Sequence, residues 1–439
     1  MARDRDLIAA LERLGRASGP DLARVLGVSA PTLSRAVRAA GDAVCRMGRR
    51  RGAQYALRRR VAGLPLQIPL FRVETDGRPV PIGHLDPLRD GAHWLEFTDG
   101  TGRLFEGTPS FVADMQPQGY LGAGFARRHP ELELPQRLAD WNDDHRLIAL
   151  AHRGEDCVGN LILGEPAFER FQAVRRAGVD PVADARYPEL ADTALERPAG
   201  SSAGGEHPKF GAYGETADAP VLVKFPPEST EAAVERWRDL LVTEALALDT
   251  LRDHGLEAAV ARVIDVHGRR FLESVRFDRV GAFGRVGVVS LAALDTEFVG
   301  VGSGWTRAAE ALHRERLLGR EDRDRVRFAD LFGRLIGNTD RHPGNLSFHC
   351  RDPSAYRAGL RLAPIYDMLP MVFAPAGGRL PATTFDPDPP RAAELEAWPA
   401  ALRAATDFWQ RTVADERVTP AFRSLAEDAL ARLRSLDHL

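Results

Sequence analysis

This 439-residue chain has few cysteines and no long hydrophobic run. The three cysteines, Cys45, Cys157 and Cys350, are widely separated, which argues against a disulfide framework or a zinc site and fits a reducing cytoplasm. No stretch of 18 apolar residues occurs, so we expect no membrane-spanning helix. The charged N-terminus MARDRDLIAA lacks the apolar core of a secretory signal. We therefore expect a cytoplasmic protein with no membrane partner.

Lysine is almost absent as well. The chain has 59 lysines plus arginines, yet only Lys209 and Lys224 are lysines. An ammonium is a compact charge on a slim stem, so a phosphate pocket can require lysine where the wider guanidinium does not fit. We interpret both lysines as candidates for contact with phosphate. The alternative is that two lysines have survived by chance.

Charge is distributed unevenly along the chain. Residues 1–60 contain fourteen arginines against five carboxylates, a balance of +9, whereas the whole chain has a net charge of −3. The remaining residues therefore carry −12. A basic N-terminal segment on an acidic body indicates that this segment binds a polyanion.

Residues 19–41 have the pattern of a helix-turn-helix. Leu22, Val25 and Leu26 are spaced to form one apolar face, and Gly27 permits a tight turn before the second helix. A recognition helix in the major groove needs polar residues on its outer face. The second helix offers Thr32, Ser34, Arg35 and Arg38.

Residues 44–57 form two short alternating stretches around an arginine-glycine tip. The pattern predicts a β-hairpin, whose Arg49, Arg50 and Arg51 would contact phosphates or a minor groove as the wing of a winged helix. We therefore predict a winged helix-turn-helix DNA-binding domain at residues 1–60. The alternative is a dimerisation module with a merely solvated basic face.

Residues 200–214, GSSAGGEHPKFGAYG, are rich in small residues. Small residues let a backbone approach phosphates closely and offer its N–H groups to them. The segment matches neither of the standard glycine-rich phosphate motifs, so the alternative is an ordinary solvent loop. The residues that follow make a nucleotide loop the better interpretation.

Lys224 ends the apolar strand pattern APVLVK, and a helical pattern containing Glu244 comes next. A strand lysine paired with a glutamate on the following helix positions phosphates in protein kinases. The alternative for Glu244 is a solvated helix carboxylate. Residues 262–281 then predict a hairpin with its turn at His267 and Gly268, leading to the site of a hinge between two lobes with Asp278 near a ribose.

The most informative segment is GNTDRHPGN, residues 337–345. Asp340 precedes Asn345 by five residues, and Asp367 follows in LAPIYD. Protein kinases use such a set: one aspartate accepts the proton of the attacking hydroxyl, and an asparagine and a second aspartate bind magnesium. A polar turn between a helix and a strand is the alternative for the nonapeptide alone.

Several segments, in this order, resemble the HipA-like serine/threonine kinases, the toxins of type II toxin–antitoxin systems. They are SSAGGEHPK, VLVKFPP, SVRFDR and LIGNTDRHPGNLSF followed by LAPIYDMLP. The resemblance extends from about residue 61 to the C-terminus. The basic N-terminal module lies outside the usual toxin, whose DNA binding comes from a separate antitoxin, and is similar to that of the YjjJ-like branch.

The resemblance implies roles for individual residues. It makes Asp340 the catalytic base, Asn345 and Asp367 the magnesium ligands, and Lys224 the phosphate-binding lysine. The backbones of Val275 and Phe277 would contact adenine, with Asp278 near the ribose. The implied ATP-binding set is Lys224, Val275, Phe277, Asp278, Ser201, Ser202, Gly204, Gly205 and Lys209.

The resemblance also implies autophosphorylation of a serine in the nucleotide loop, which ejects the loop and stops the kinase. The acceptor is left open between Ser201 and Ser202. The pair His207-Pro208 lengthens this loop relative to the commoner family pattern, which leaves the roles of Glu206 and Lys209 open.

We therefore predict an α+β protein with an N-terminal winged helix-turn-helix and a two-lobed, protein-kinase-like body. The expected domains are the winged helix at 1–60, a mixed N-lobe with a family-specific subdomain at 61–275, and a mainly helical C-lobe at 276–439. The expected reaction transfers phosphate from ATP, with Mg²⁺, to a serine or threonine of a protein. By family resemblance this protein could be an aminoacyl-tRNA synthetase.

Two other functions remain open. One is a DNA-binding transcription regulator whose kinase-like body senses a ligand or dimerises, which the intact set of kinase residues disfavours. The other is a small-molecule kinase resembling the aminoglycoside or choline phosphotransferases, which the nucleotide-loop serines and the basic N-terminal segment disfavour. The sequence also leaves open whether a separate antitoxin or a second copy of the chain, in a homo-dimer, is a further partner.

Overall fold

The computed structural model describes residues 2–49, 52–196, 207–226, 230–302, 304–352, 354, 359–381 and 385–436. The chain divides into two compact units. The first unit comprises Met1–Glu74, Arg78–Gln116 and Pro130–Ala177, and the second comprises Thr75–Gly77, Pro117–His129 and Gly178–Leu439. Among the described residues, none of the helices combines the length and the apolar character needed to cross a bilayer.

The first unit begins with three helices and a small sheet. These are α1 Ala2–Leu14, β1 Arg16–Ser18, α2 Gly19–Leu26, α3 Ala30–Ala40, β2 Val44–Met47 and β3 Gln54–Leu57. Strand β3 lies between β1 and β2 and is antiparallel to both. Each helix contributes an apolar stripe to one core, in which Leu7, Leu11, Leu22 and Leu33 are buried.

The turn between α2 and α3 follows from its residues. Gly27 has a φ of 61°, a left-handed conformation that glycine adopts without steric cost. Pro31 lies in the first turn of α3, where a missing N–H leaves no helical bond unmade. The prediction that Val25 joins the apolar face is wrong, because Val25 is 41% exposed. In this eight-residue helix, Leu22 and Leu26 are the leucines that meet the core.

The rest of the first unit is a five-stranded antiparallel sheet with helices against it. The strands are β4 Ile68–Val73, β5 Pro79–Pro87, β6 His93–Phe97, β7 Gly102–Phe105 and β8 Leu161–Leu163, in the spatial order β7-β6-β5-β4-β8. The helices of this unit are α4 Ser110–Met115, α7 Asp143–Arg153 and α8 Glu165–Ala177, while α5 Gly119–Ala123 and α6 Phe125–Arg128 belong to the second unit. Phe111 of α4 and Leu147 of α7 share a core with the sheet.

The β2–β3 hairpin packs against this sheet. A buried apolar cluster joins the two, with members Cys45, Met47, Ala56, Leu88, Ala92 and Trp94. Beside it, the guanidinium of Arg58 lies 2.9 Å from the carboxylate of Asp86, and both side chains are buried. The hairpin therefore belongs to the core of the first unit. The domain boundaries expected at residues 60 and 275 remain predictions.

The second unit contains a four-stranded antiparallel sheet and a long helix. Its elements are α9 Tyr187–Glu196, β9 Lys209–Gly214, β10 Ala219–Lys224, α10 Glu231–Asp253, β11 Ala261–Val266 and β12 Arg269–Val275. The sheet order is β11-β12-β10-β9. The predicted hairpin turn is present, and His267 and Gly268 both have positive φ, as a tight two-residue turn between twisted strands requires. The predicted apolar face of α10 is buried along its whole length.

Short strands and further helices complete the described part of the second unit. The strands are β13 Arg279–Val280, β14 Gly284–Arg285, β15 Val288–Ser290, β16 Ser347–His349 and β17 Arg361–Leu362. The helices are α11 Leu291–Leu294, α12 Trp305–Arg314, α13 Arg320–Leu335, α14 Trp398–Ala414 and α15 Pro420–Ser435. Trp305, Phe332, Phe408 and Phe422 are fully buried in one large core, which also takes in residues of α10. The expected combination of helices and strands is confirmed.

Candidate functional site

The two lysines of the chain lie opposite each other on neighbouring strands. Lys209 begins β9, Lys224 ends β10, and the two are direct cross-strand partners. Directly opposed residues project from the same face of a sheet, so their charges act on the same volume. Lys224 is only 5% exposed, whereas Lys209 is half-buried. The two lysines of this arginine-rich chain are therefore neighbours in the fold.

Two carboxylates hold Lys224. Its Nζ lies 2.6 Å from Oε1 and 2.9 Å from Oε2 of Glu244 on α10, and it also donates to Oδ1 of Asp367. Glu244 is 1% exposed, so it is not the solvated helix carboxylate of the alternative interpretation. A buried charge is tolerated only when it is paired and hydrogen-bonded. The helix, the strand and the Asp367 segment are thus joined through one ammonium.

Burial and charge act in opposite directions on this triad. Although burial opposes the change, Asp367 and Glu244 raise the pKa of Lys224 well above its ordinary value. Burial likewise opposes the change at Asp367, yet Lys224 and Lys209 hold its pKa well below the usual range. Burial raises the pKa of Glu244, with Lys224 acting against it. At neutral pH the site therefore contains a protonated Lys224 beside an ionised Asp367.

Asp340 and Asn345 lie together in a loop, Gly337–Asn345, which follows α13 and ends in a short 3₁₀ turn over Pro343–Asn345. The Nδ2 of Asn345 donates to the backbone oxygen of Asp340 at 3.0 Å and to its Oδ2 at 3.3 Å. The side chain of Asp340 is 53% exposed, so a hydroxyl can approach it. Because the amide nitrogen of Asn345 is engaged by Asp340, the amide oxygen is the atom left to bind a cation.

A buried amide links this loop to the Asp367 segment. The Nδ2 of Asn338 donates to the backbone oxygen of Asp367 at 3.3 Å and contacts Sδ of Met368, and its Oδ1 accepts the N–H of Asp340 at 2.9 Å. Asp367 has a φ of 53°, a conformation that needs support from its surroundings. Asn338 is a functional candidate that the sequence did not suggest. Its position inside the Asp340 motif was the available signal.

Other contacts fix the shape of the loop. Arg341 donates to Asp330 of α13 at 3.0 Å, and the indole of Trp305 donates to the backbone oxygen of His342 at 2.9 Å. Nδ1 of His342 accepts the N–H of Gly344 at 3.1 Å, so this ring acts within the loop. Tyr366 donates from its hydroxyl to the backbone oxygen of Gly344 at 3.0 Å. The residue before Asp367 thus binds the residue before Asn345.

The segment predicted as a hinge follows β12. The N–H of Val275 donates to the backbone oxygen of Val260 at 2.9 Å, so this N–H is already engaged within the chain. The ring of Phe277 lies 5.5 Å from that of Tyr366. Asp278 is buried and accepts from Arg276 at 3.0 Å and from Arg279 at 2.7 Å. Two arginines thus already engage the carboxylate that was expected near a ribose.

Several predicted residues lie outside the described part of the chain, namely Ser201, Ser202, Gly204, Gly205, Arg50 and Arg51. The other residues predicted to bind DNA are described. Ser34, Arg35 and Arg38 are exposed on α3, and Thr32 is half-buried beside them. Arg49, at the hairpin tip, donates to the backbone oxygen of Asp99 at 2.5 Å. Arg35 and Arg38 are therefore exposed on helix α3, whereas Arg49 at the hairpin tip is already bonded to the backbone of Asp99.

Known proteins resemble the chain along most of its length. A family model described as YjjJ-like toxin, middle domain, matches residues 64–172, and one described as HipA-like C-terminal domain matches residues 201–433. Toxin YjjJ of Escherichia coli (strain K12) is 34% identical over 432 residues, covering 96% of this chain and 96% of that protein.

A solved structure is similar as well. It is a chain from the Shewanella oneidensis MR-1 toxin–antitoxin system of HipA, HipB and its operator DNA, with a TM-score of 0.56 and 15% identity. The likeness covers 84% of this chain and 98% of that chain. At this identity it shows a common fold and nothing about residues.

Proposed function

Because this chain belongs to the HipA-like family, in its YjjJ-like branch, we propose that it is an ATP- and Mg²⁺-dependent serine/threonine protein kinase of the toxin type, fused to a DNA-binding module. One observation carries the proposal. Lys224 binds both Glu244 and Asp367, and Asn338 joins Asp367 to Asp340. Four residues that phosphoryl transfer requires thus lie in one connected network.

The donor groups fit a nucleotide with its metal. Asp367 offers an ionised carboxylate and Asn345 an amide oxygen, and oxygen is the ligand atom that Mg²⁺ prefers. No cluster of three His, Cys, Asp or Glu that could hold a metal occurs in the described ranges. Substrate phosphates and water commonly complete the coordination of Mg²⁺ where a protein supplies one or two ligands. A magnesium ion bound there would neutralise charge on the transferring phosphate.

The chain's own residues would divide the work of the reaction. Lys224, kept charged by its two carboxylates, would orient the phosphates as a fixed ammonium. Asp340 would accept the proton of the serine or threonine hydroxyl, held in position by the amide of Asn345. Asn338 would keep the base and the metal ligand in register, since it bonds to the backbone of both. Positioning of this kind supplies most of the catalysis in phosphoryl transfer.

The nucleotide base and the regulatory serines complete the proposed kinase. Adenine would contact the backbones of Val275 and Phe277, with Asp278 near the ribose, as the family resemblance implies. Autophosphorylation would take place on Ser201 or Ser202. In this arrangement the sheet β9–β12 with α10 forms an N-lobe and α11–α15 a C-lobe.

The N-terminal residues would supply DNA binding as a winged helix. Support comes from the order α1-β1-α2-α3-β2-β3 and from Arg35 and Arg38, which stand exposed on α3 as a recognition helix requires. Arg49 and its two neighbours would add phosphate contacts. The protein acceptor is proposed by resemblance to be a translation component such as an aminoacyl-tRNA synthetase, and a separate antitoxin or a second copy of the chain would be a further partner.

The test is incubation of the purified protein with γ-labelled ATP and magnesium. Wild type should label itself. The labelling rate of Asp340→Gln and Asp367→Asn should be about a thousandfold lower, because the first variant lacks the proposed base and the second lacks a proposed metal ligand. Lack of label in the wild type, with or without added protein substrates, would overturn the kinase proposal. The DNA-binding regulator would then be the better account.

A further inference from the structure

His207 is buried immediately before the strand that carries Lys209. It is 8% exposed, and its ring meets the indole of Trp237 edge-on with centroids 4.0 Å apart. The backbone oxygen of the next residue, Pro208, accepts the N–H of Phe225 at 3.1 Å. This bond places His207 beside the end of β10, where Lys224 lies.

Neither ring nitrogen of His207 has a hydrogen-bond partner within the described ranges. A buried polar group without a partner is unfavourable, and folded proteins satisfy nearly all such groups. The contact with Trp237 accounts for an aromatic ring at position 207 but not for the two ring nitrogens, because a phenylalanine would pack against the indole equally well. A group that enters the site and pairs with the imidazole would remove this cost.

The surrounding charges indicate what that group is. Lys224, Asp367 and Lys209 are the charged side chains that act on the ring. Lys224 is already paired with Glu244 and Asp367, whereas Lys209 forms no ion pair within the described ranges and is the ammonium left for an incoming group. An anion is therefore favoured over a cation. The imidazole is neutral, since burial lowers the pKa of His207 to about 3, and it can donate one N–H.

We propose that His207 donates a hydrogen bond to the phosphate chain of the bound nucleotide, from the side of the site that holds Lys209. This inference rests on the proposed function and adds a third phosphate-binding side chain to the two lysines. It makes His207 a binding residue rather than a packing residue. The ring of Trp237 then serves to hold the imidazole in one orientation.

The experiment measures the affinity of the full chain for ATP, ADP and adenosine by calorimetry. His207→Phe keeps an aromatic ring against Trp237 but removes the N–H, and should weaken ATP and ADP binding about tenfold or more. Adenosine, which has no phosphate, should bind to the variant and the wild type alike. His207→Gln retains a donor and should recover most of the affinity.

The control is His93→Phe in the first unit. His93 is also buried with an unpaired Nε2 within the described ranges, so it reports the general effect of replacing a buried imidazole. Equal ATP affinity of wild type and His207→Phe would overturn the inference alone, and so would an equal loss for ATP and adenosine. A wild type that binds no ATP would overturn the proposed function together with the inference.

If His207→Phe does not fold, the wild type provides a second measurement. In the protein labelled with ¹⁵N-histidine, addition of ATP should shift the imidazole resonance that disappears in His207→Gln, while adenosine should leave it in place. The same resonance position with both ligands would contradict the proposal.

Discussion

The two units of this protein use positive charge differently. The first unit contains no lysine. Its arginines form surface pairs such as Arg16 with Glu106, stand exposed on α3 as Arg35 and Arg38 do, or, in Arg58 with Asp86, form a buried pair. The second unit contains both lysines and buries one of them between two carboxylates. A surface accepts either cation because water and counterions fill the remaining space. A buried site selects by shape: the Lys224 site retains the slim ammonium, whereas the site beside Asp86 accommodates the planar guanidinium of Arg58.

Exposed and buried ion pairs also differ in how much they contribute to stability. An exposed ion pair contributes little, since water screens it and two long side chains lose freedom. A buried pair is expensive to break, because removal of one partner leaves an uncompensated charge in a medium of low dielectric constant. The Lys224 cluster and the pair of Arg58 with Asp86 are both of the second kind. We therefore expect a few buried charges to dominate both activity and stability.

The largest effect should follow from a substitution that preserves charge. Lys224→Arg places a guanidinium where Glu244 and Asp367 enclose an ammonium, so phosphoryl transfer measured with labelled ATP should fall by about a hundredfold to a thousandfold. The matched control is the reverse change, Arg270→Lys, at a pair with Asp265 that lies in the same sheet. Full activity of Lys224→Arg would show that the site requires a positive charge but not the shape of an ammonium.

The buried pair of the first unit should dominate its stability. Asp86→Asn leaves Arg58 without its carboxylate and should lower the free energy of unfolding by about 3 kcal/mol, measured by urea denaturation followed through tryptophan fluorescence. Removal of the exposed partner in Arg89→Ala, which frees Glu12, should cost less than about 1 kcal/mol. Equal losses in the two variants would show that burial does not distinguish these pairs.

Asn338 should matter to the rate more than to folding. In Asn338→Ala the Asp340 loop and the Asp367 segment lose their common bridge, so the transfer rate should fall about tenfold to a hundredfold while ATP binding changes little. Asn142 offers a comparison, since it caps α7 of the first unit. Asn142→Ala should lower stability by about 1 kcal/mol without a change in rate. A rate unaffected by Asn338→Ala would leave the bridge without a catalytic role.

Substitution of the exposed arginines should have the smallest effect, and this effect should depend on the salt concentration. The double variant Arg35→Ala/Arg38→Ala should weaken DNA binding and reduce the slope of log affinity against log salt by about two. Arg314→Ala/Arg403→Ala removes the same charge from exposed helix positions of the second unit and serves as the control. Retention on DNA that is identical for all three proteins would rule out α3 as the reading element.

Local patterns in the sequence predicted the parts of the fold that depend on neighbouring residues. The buried face of α10, the turn at His267 and the helix-turn-helix spacing all follow from periodicity or from backbone preference, which act over a few residues. The Asp340 motif could be recognised for the same reason, because Asp340 and Asn345 lie five residues apart. The resemblance to HipA-like proteins, which rests on short segments of this kind, is confirmed.

Contacts between distant segments could not be predicted in this way. The packing of Met47 against Trp94 joins a hairpin to a strand that has its own independent pattern, and the three-residue strand β1 is too short to show alternation. The sequence suggested no role for Asn338 and only a longer loop for His207, because the partners of Asn338 and the unpaired ring nitrogens of His207 are visible only in the folded chain. Burial without a bond has no signature in a sequence.

We propose above all that a single site for ATP with its metal is formed by Lys224, Asp340, Asn345 and Asp367. The most direct measurement is the affinity for a non-hydrolysable ATP analogue with and without magnesium, in wild type and in Asp367→Asn. We predict that magnesium tightens binding to the wild type at least tenfold and has no effect on the variant, which lacks a metal ligand. The same affinity in all four titrations, or no binding in any of them, would contradict this account.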